Sequence, residues 1–261
     1  MQFIKNIKQK IKLSSLGFLA DSKGIERRYN REKKNWDIHL NNTKEFILNS
    51  TKLHSGTLLV LGSGRLLDLP LEALSKHFSK IYLYDIIHSS KAKKEVSQFN
   101  NIELITADIT GGMLNEAYKL KRKNGQFFSY TNHFSSINFE TNLNPDFVIS
   151  LNILNQLDII LIDYLKHKTD ISAHEIKKLR IDIQQKHLRF IQQYNHCLIA
   201  DIEEEWYDDN DKLIGIKPTV FVDFNNYKEQ KKWLWKFDTS TTYYSDRKTY
   251  FNVIAVTNSS L

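Results

Sequence analysis

At 261 residues, 41% of them hydrophobic, the chain can bury one substantial core, expected as a single domain with an appendage. Its one cysteine excludes an internal disulfide framework and fits a reducing, cytoplasmic setting; no apolar run approaches the 18 residues that would suggest a membrane span. The net charge of +7 gathers at the amino end, where residues 1–50 hold eleven Lys/Arg against five Asp/Glu.

Phe3, Ile4, Ile7 and Ile11 recur at helical spacing among Lys5, Lys8, Lys10 and Lys12. That pattern is shared by a membrane-surface helix, a docked helix and a frayed terminus. A second helical run is predicted over 22–50, with Tyr29, Trp36, Leu40, Thr43 and Ile47 on the packed stripe. Arg27, Arg28, Arg31, Lys33 and Lys34 face elsewhere; without base-reading groups beside them they predict only weak, salt-sensitive contact with phosphates. Residues 1–52 are therefore expected to form a helical segment packed on a domain spanning 53–261.

Thr57 to Leu61 reads as a strand buried on both faces, followed by the turn Gly62-Ser63-Gly64 and a helix from Leu71 to Phe78. Strand, glycine turn and helix open a nucleotide-binding unit, with the ligand near the turn. Leu67 stands where a dinucleotide fingerprint needs a small residue, and the Gly-Lys-Ser/Thr of a P-loop is absent. A second strand, Ile81 to Asp85, ends 21 residues after Gly64, a spacing that suits a carboxylate accepting from ribose hydroxyls. A helix over Lys91–Phe99 leads to a third strand, Ile102 to Ala107, which ends at Asp108. After the Thr110-Gly111-Gly112 loop comes a helical run from Met113 to about Lys121. The aromatic segment 123–145, with Phe127, Phe128, Tyr130, Phe134 and Phe139, suits either a lid or packing beneath the sheet edge.

The fourth strand is Asp146 to Asn152, followed by about 40 residues of helix split near Lys168-Thr169-Asp170. His174 and His187 on these helices read as surface or packing histidines. A fifth strand, Cys197 to Ile202, precedes a hairpin turn over 206–213 and further strands at Pro218–Phe224, Lys232–Phe237 and Tyr250–Val256. Asp201, Glu203, Glu204 and Glu205 are either a solvated arm or a cradle for a cationic amine, with Trp206 or Tyr207 as its aromatic face. The nine histidines and single cysteine form no metal-ligating pattern, so no metal site is expected.

The stretch G-S-G-R-L-L-D, with acidic strand ends at Asp85 and Asp108, resembles motif I and its partner strand ends in the class I S-adenosylmethionine-dependent methyltransferases. The resemblance covers residues 55–257 as a fold. It implies an α/β architecture: a seven-stranded, mostly parallel, doubly wound Rossmann-like sheet with a C-terminal antiparallel hairpin and N-terminal helices. It further implies S-adenosylmethionine lying across the carboxyl ends of the first, second and fourth strands. Gly62, Ser63 and Gly64 would approach its amino-acid part, and Asp68 would hold the turn or face the ammonium. Asp85 would bind ribose, Ile86 would pack on adenine and Asp108 would accept from the adenine amine, with Ser150 also at the cofactor. The acceptor would meet the methyl group beyond the fourth strand, which makes Ser150 and Asn152, with His39 from the N-terminal helices, the catalytic candidates. Trp36 and Lys44 share that helical stretch, and Asn152 and Asn155 read equally well as helix caps. An Asn/Asp-Pro-Pro-Tyr motif, used on exocyclic base amines and glutamine, is absent.

The expected function is methyl transfer to a small-molecule acceptor, with nucleic acid left open as a partner and the oligomeric state undetermined. An aminopropyl or aminocarboxypropyl transferase on the same fold, or a non-catalytic cofactor-binding partner protein, would use the same residues.

Overall fold

The computed structural model describes residues 18–120, 129–225, 227 and 229–258. The helical run at 3–13 and the pair Phe127 and Phe128 lie outside them. Two helices, α1 (Phe18–Arg31) and α2 (Lys33–Thr51), precede the sheet. They replace the single helix predicted over 22–50, and the break falls at Glu32. The reason is a tertiary contact. The buried Glu32 carboxylate accepts from Asn35 Nδ2 (2.9 Å), Thr239 N (3.1 Å), Thr239 Oγ1 (2.8 Å) and the Ser240 hydroxyl. Burial alone would raise its pKa, but the bonds from Ser240, Thr239 and Asn35 outweigh that and hold the carboxyl below its usual range.

The strands are β1 (Thr57–Leu61), β2 (Lys80–Asp85), β3 (Ile102–Thr106), β4 (Phe147–Leu151), β5 (His196–Tyr207), β6 (Leu213–Pro218), β7 (Glu229–Asp238) and β8 (Lys248–Thr257). They form one sheet in the order β3-β2-β1-β4-β5-β8-β7, with β6 paired to β5 off that path. The first five run parallel, and β8 lies antiparallel between β5 and β7. Leu58, Leu59, Val60 and Leu61 are fully buried, as a central parallel strand covered on both faces requires.

The helices divide between the faces. One layer holds α2, α3 (Leu71–His77) and α4 (Ser90–Val96), packed on Leu58, Val60, Ile81, Leu83 and Ile149. The other holds α5 (Met113–Lys119), α6 (Tyr130–Phe134), α7 (Ile159–Lys168) and α8 (Ala173–Ile191), packed on Leu59, Leu61, Val148 and Leu198. Phe134 is fully buried in the second layer, so this part of the aromatic segment packs beneath the sheet. Cys197 is also fully buried, near the start of β5, and burial pushes its thiol pKa up. No helix among the described residues is long and apolar enough to cross a membrane.

One predicted strand is corrected. Residues 219–224 form no strand; β6 precedes them and ends at Pro218, opposite Glu203. Thr219 N and Val220 N both turn to the single carbonyl Ile202 O (3.0 and 3.4 Å), opposite the irregular part of β5, and the ladder stops there. Val220, Val222 and Phe224 spend their hydrophobicity on the α7/α8 layer instead. The fifth strand also runs past its predicted end at Ile202, because β6 and β8 both pair with its outer half.

The α2 layer is anchored by Trp36. Its ring lies 4.7 Å from Trp235 and 5.4 Å from Phe237, and its indole N–H donates to Phe237 O at 2.9 Å. We expect Trp36→Ala to lower stability by about 3–5 kcal/mol, measured by urea unfolding. A loss under about 1 kcal/mol would show that α2 is not integral to the core.

A pH dependence follows from the buried histidines. Burial pushes His187 down to about 3, with His196 adding to the effect. The unfolded chain takes up a proton near pH 6.5 that the folded chain refuses, so this contribution is full above pH 6.5 and drains away as pH falls toward 3. By pH 5 the loss amounts to about 2 kcal/mol. Asp158, pushed up to about 6 by burial against the pull of Arg180, works in the opposite direction. The readout is therefore a difference: His187→Gln should flatten the loss of stability between pH 7 and 5 relative to the parent. Parallel profiles would refute it.

Candidate functional site

The site is built where β1, β2 and β4 end and beside the middle of β5, just past its pairing with β4. Gly62 N and Ser63 N both donate to Tyr84 O (2.9 and 3.2 Å), which pins the turn after β1 to β2. Gly62 has φ +85°, and a Cβ there would fall 2.6 Å from Leu151 O and 2.7 Å from Ile153 Cβ. The loop after β4 therefore approaches as closely as only glycine permits. Gly64 N then donates to Asp85 Oδ2 at 2.7 Å, and Ile87 N to Asp85 Oδ1 at 3.2 Å. Burial still pushes the Asp85 carboxyl above its usual range, against these bonds and His88. The 21-residue spacing read from the sequence is thus a direct contact.

Asp108 follows β3. Its Oδ1 accepts from Thr110 N (3.0 Å) and Thr110 Oγ1 (2.5 Å), closing a tight turn. Ile86 is half-buried and packs against the second helical layer.

A second group of polar side chains faces the glycine turn from β4, β5 and α2. Asn152 has φ +47°, a left-handed conformation uncommon outside glycine, and its Nδ2 donates to Asp68 Oδ2 at 3.0 Å. His39 Nε2 lies 3.5 Å from the same nitrogen. The His39 ring stacks on Trp235 with centroids 3.9 Å apart, and Trp233 Nε1 lies 3.1 Å from its Nδ1. An indole N–H can only donate, so Nδ1 carries the lone pair and Nε2 the hydrogen. Burial, pushing the imidazole down to about 3, keeps it in that neutral form. Beyond them, Asn155 Nδ2 donates to Asp201 Oδ2 at 3.3 Å.

The charge balance is lopsided. Burial pushes Asp68 up to about 6, with Asn152 and Lys44 opposing and Asp85 assisting. It pushes Asp201 up to about 7, with Asn155 opposing and Asp68 assisting. Three carboxylates share one edge of the sheet, each held above its ordinary range because burial outweighs the hydrogen bonds and nearby charges that oppose it. Such a site strongly favours a cation.

Of the candidates read from the sequence, Gly62, Ser63, Gly64, Asp68, Asp85, Asn152 and His39 come together here. Ser150 does not present its side chain to them. Alternation along β4 turns Val148 and Ser150 toward the α8 layer, where the Ser150 hydroxyl sits 2.7 Å from His187 Nε2 inside the core. The acidic run also divides. Asp201 is buried at the site, whereas Glu203 and Glu205 accept from Asn252 (3.2 and 2.5 Å). Glu204 is paired with Lys217 at 3.4 Å. The Arg247 guanidinium lies over the Trp206 ring at 4.8 Å and the Tyr207 ring packs on Tyr250 with centroids 4.6 Å apart, so the aromatic face expected beside this arm is already engaged within the chain.

Trp233, which fixes the His39 tautomer, was not visible as a site residue. The signal for Asp201 was its position directly after the buried run Leu198-Ile199-Ala200. In the basic face, the Arg28 guanidinium lies over Phe237 and Tyr243 (4.5 and 4.8 Å), and Arg31 lies 3.9 Å from Asp238. Arg65, in the glycine turn, pairs with Glu26 at 2.5 Å and ties α1 to the site.

No family model matches the chain, and no curated protein matches it. Solved structures do. A methyltransferase from Clostridium acetobutylicum, S-adenosylmethionine-dependent by its description, is 10% identical with TM-score 0.40, over 88% of this chain and 97% of its own. The 1,6-didemethyltoxoflavin-N1-methyltransferase of Burkholderia thailandensis, solved with S-adenosylhomocysteine, is 8% identical with TM-score 0.39, over 91% and 87%. A DhpI–SAM–HEP complex is 9% identical with TM-score 0.39, over 92% and 95%. These likenesses concern the path of the chain, whereas the fold is defined by its strand order. Five parallel strands ordered 3-2-1-4-5 are continued by an antiparallel β8 and then β7, with helices on both faces. The chain has the fold of the class I S-adenosylmethionine-dependent methyltransferases.

Proposed function

We propose that this protein binds S-adenosylmethionine and transfers its methyl group to a small-molecule acceptor. The observation that carries the reading is the pair of carboxylates at the glycine turn, half-buried Asp68 and buried Asp85, both held above their usual range by loss of water. Bound there, S-adenosylmethionine would supply an electrophilic methyl group on a sulfonium and, with its ammonium, the positive charge that these carboxylates lack. A dinucleotide would bring the opposite charge, a pyrophosphate, into the same place.

In this reading the Gly62–Gly64 turn admits the amino-acid part, and Asp68 faces its ammonium. Each oxygen of Asp85 holds one backbone N–H and retains acceptor capacity for ribose hydroxyls. Ile86 and Asp108 would flank the adenine. His39 and Asn152 would stand where the acceptor enters, His39 offering a fixed Nε2–H. The task of these groups is orientation, since in-line transfer depends on alignment. The buried setting of His39 and Asp201 supports a small acceptor, and the commitment of Arg28 and Arg31 to the end of β7 gives no support to a nucleic-acid surface.

Calorimetry should detect binding of S-adenosylmethionine and S-adenosylhomocysteine and none of NAD. Asp85→Asn should weaken S-adenosylmethionine roughly ten- to a hundredfold, the contribution of a hydrogen bond to a charged group. Tight NAD binding without a response to either sulfur compound would sink the proposal.

The affinity should also depend on pH. Asp68 is pushed up to about 6, so below that value a cationic ligand must displace a proton. Affinity for S-adenosylmethionine should be level above pH 7 and fall by up to about tenfold per unit below 6. Asp68→Asn should flatten this slope; a parent profile already flat between pH 5.5 and 7.5 would assign the ammonium elsewhere.

A further inference from the structure

Beyond the cofactor groups, the loop after β4 and the adjoining middle of β5 hold a set of acceptors with nothing to accept. Asp201 Oδ1 and Asn155 Oδ1 are buried without a hydrogen-bond partner, and Asn152 Oδ1 is a third. The residues themselves are enclosed: Asp201 is 3% exposed and Asn155 5%. Their other atoms are spent on each other, through Asn155 Nδ2 and Asp201 Oδ2 at 3.3 Å. A buried acceptor left unmade is costly, and native structures rarely tolerate several together.

The backbone accounts for how Asp201 came to lie there. Between Asp201 and Glu203 the pairing of β5 with β8 slips by one residue, a bulge at Ile202. Bulges re-aim the side chains beside them and are frequent near active sites. This one separates Asp201, turned in, from Glu203, which is turned out toward Asn252.

We infer that the methyl acceptor is an amine, whose N–H groups are received by Asp201 Oδ1 and Asn155 Oδ1. The inference rests on the cofactor reading above. Three unfilled acceptors call for a ligand rich in donors. A hydroxyl or thiol brings a single hydrogen, whereas a primary amine brings two, or three when protonated. A carboxylate acceptor would meet Asp201 with like charge. In the transfer, an ammonium first gives a proton to the Asp201 carboxylate. The nitrogen lone pair then forms the N–C bond as the methyl–sulfur bond breaks, its electron pair remaining on sulfur. The products are a methylated ammonium and a neutral thioether. The Asp201 carboxyl, pushed up to about 7 by burial, is suited to receive a proton near neutral pH.

Sinefungin tests this without knowledge of the substrate. In it a carbon bearing an amine replaces the methylated sulfonium, so its N–H groups stand at the transfer point. Calorimetry at pH 8 should show sinefungin binding at least about tenfold more tightly than S-adenosylhomocysteine, the range of a hydrogen bond to a charged group. Asp201→Asn should erase most of that ratio while leaving the affinity for S-adenosylhomocysteine within about twofold. Asn155→Ala, which removes the second acceptor, is the companion variant should Asp201→Asn unfold. Equal affinities for the two compounds in the parent protein, or a variant that weakens both alike, would overturn the amine assignment and leave the cofactor reading standing. Failure of the parent to bind S-adenosylhomocysteine at all would overturn both.

Discussion

The 2.7 Å hydrogen bond from Gly64 N to Asp85 Oδ2 fixes the geometry on which the site depends. It joins the turn after β1 to the end of β2, and the bonds from Gly62 and Ser63 to Tyr84 O make that junction three-pointed. With β1 so held, the β4 loop closes onto Gly62 and brings Asn152 to Asp68. Burial then does the electrostatic work, since each carboxylate brought to this edge loses water, and the charges beside Asp68 and Asp85, Lys44 and His88, do not make up for it. Close packing and unbalanced charge are two results of one arrangement.

The N-terminal helices complete the site as well as covering the core. Along α2, Trp36 packs on β7 through Trp235 and Phe237, while His39, one turn on, stacks on Trp235 and receives a bond from Trp233. One seam thus supplies both the anchorage of the helix and the tautomer of the histidine. At the start of the helix Glu32 ties the break to Thr239 and Ser240, directly after β7. The position of His39 relative to Asn152 is therefore set by contacts of α2 with one strand and the loop that follows it.

Much of this was legible in the sequence because it lay in local pattern. The apolar strands, the glycine turn, and Asp85 and Asp108 at strand ends follow from periodicity and chain reach. What was not legible depended on long-range pairing. The alternation of Val220, Val222 and Phe224 mimics a strand, yet pairing stops at Pro218 and those side chains serve the helical layer. Ser150 and Asn152 are two residues apart, but the backbone leaves the strand after Leu151, so their side chains part company. Asp201 is separated from the glutamates that follow it by a bulge that no composition announces. The break at Glu32 needs partners more than 200 residues away.

Cys197 gives the molecule a built-in reporter. It is the chain's single thiol, fully buried near the start of β5 with its pKa raised by burial, so the nucleophilic thiolate is doubly suppressed in the native state. A thiol-reactive dye can reach it only in molecules whose central sheet has parted. The rate of labelling therefore reads the opening of the strand that carries Asp201, with no residue replaced and no probe attached beforehand. A ligand seated on the carboxyl ends of these strands would be seen as slower modification of a sulfur atom it never touches.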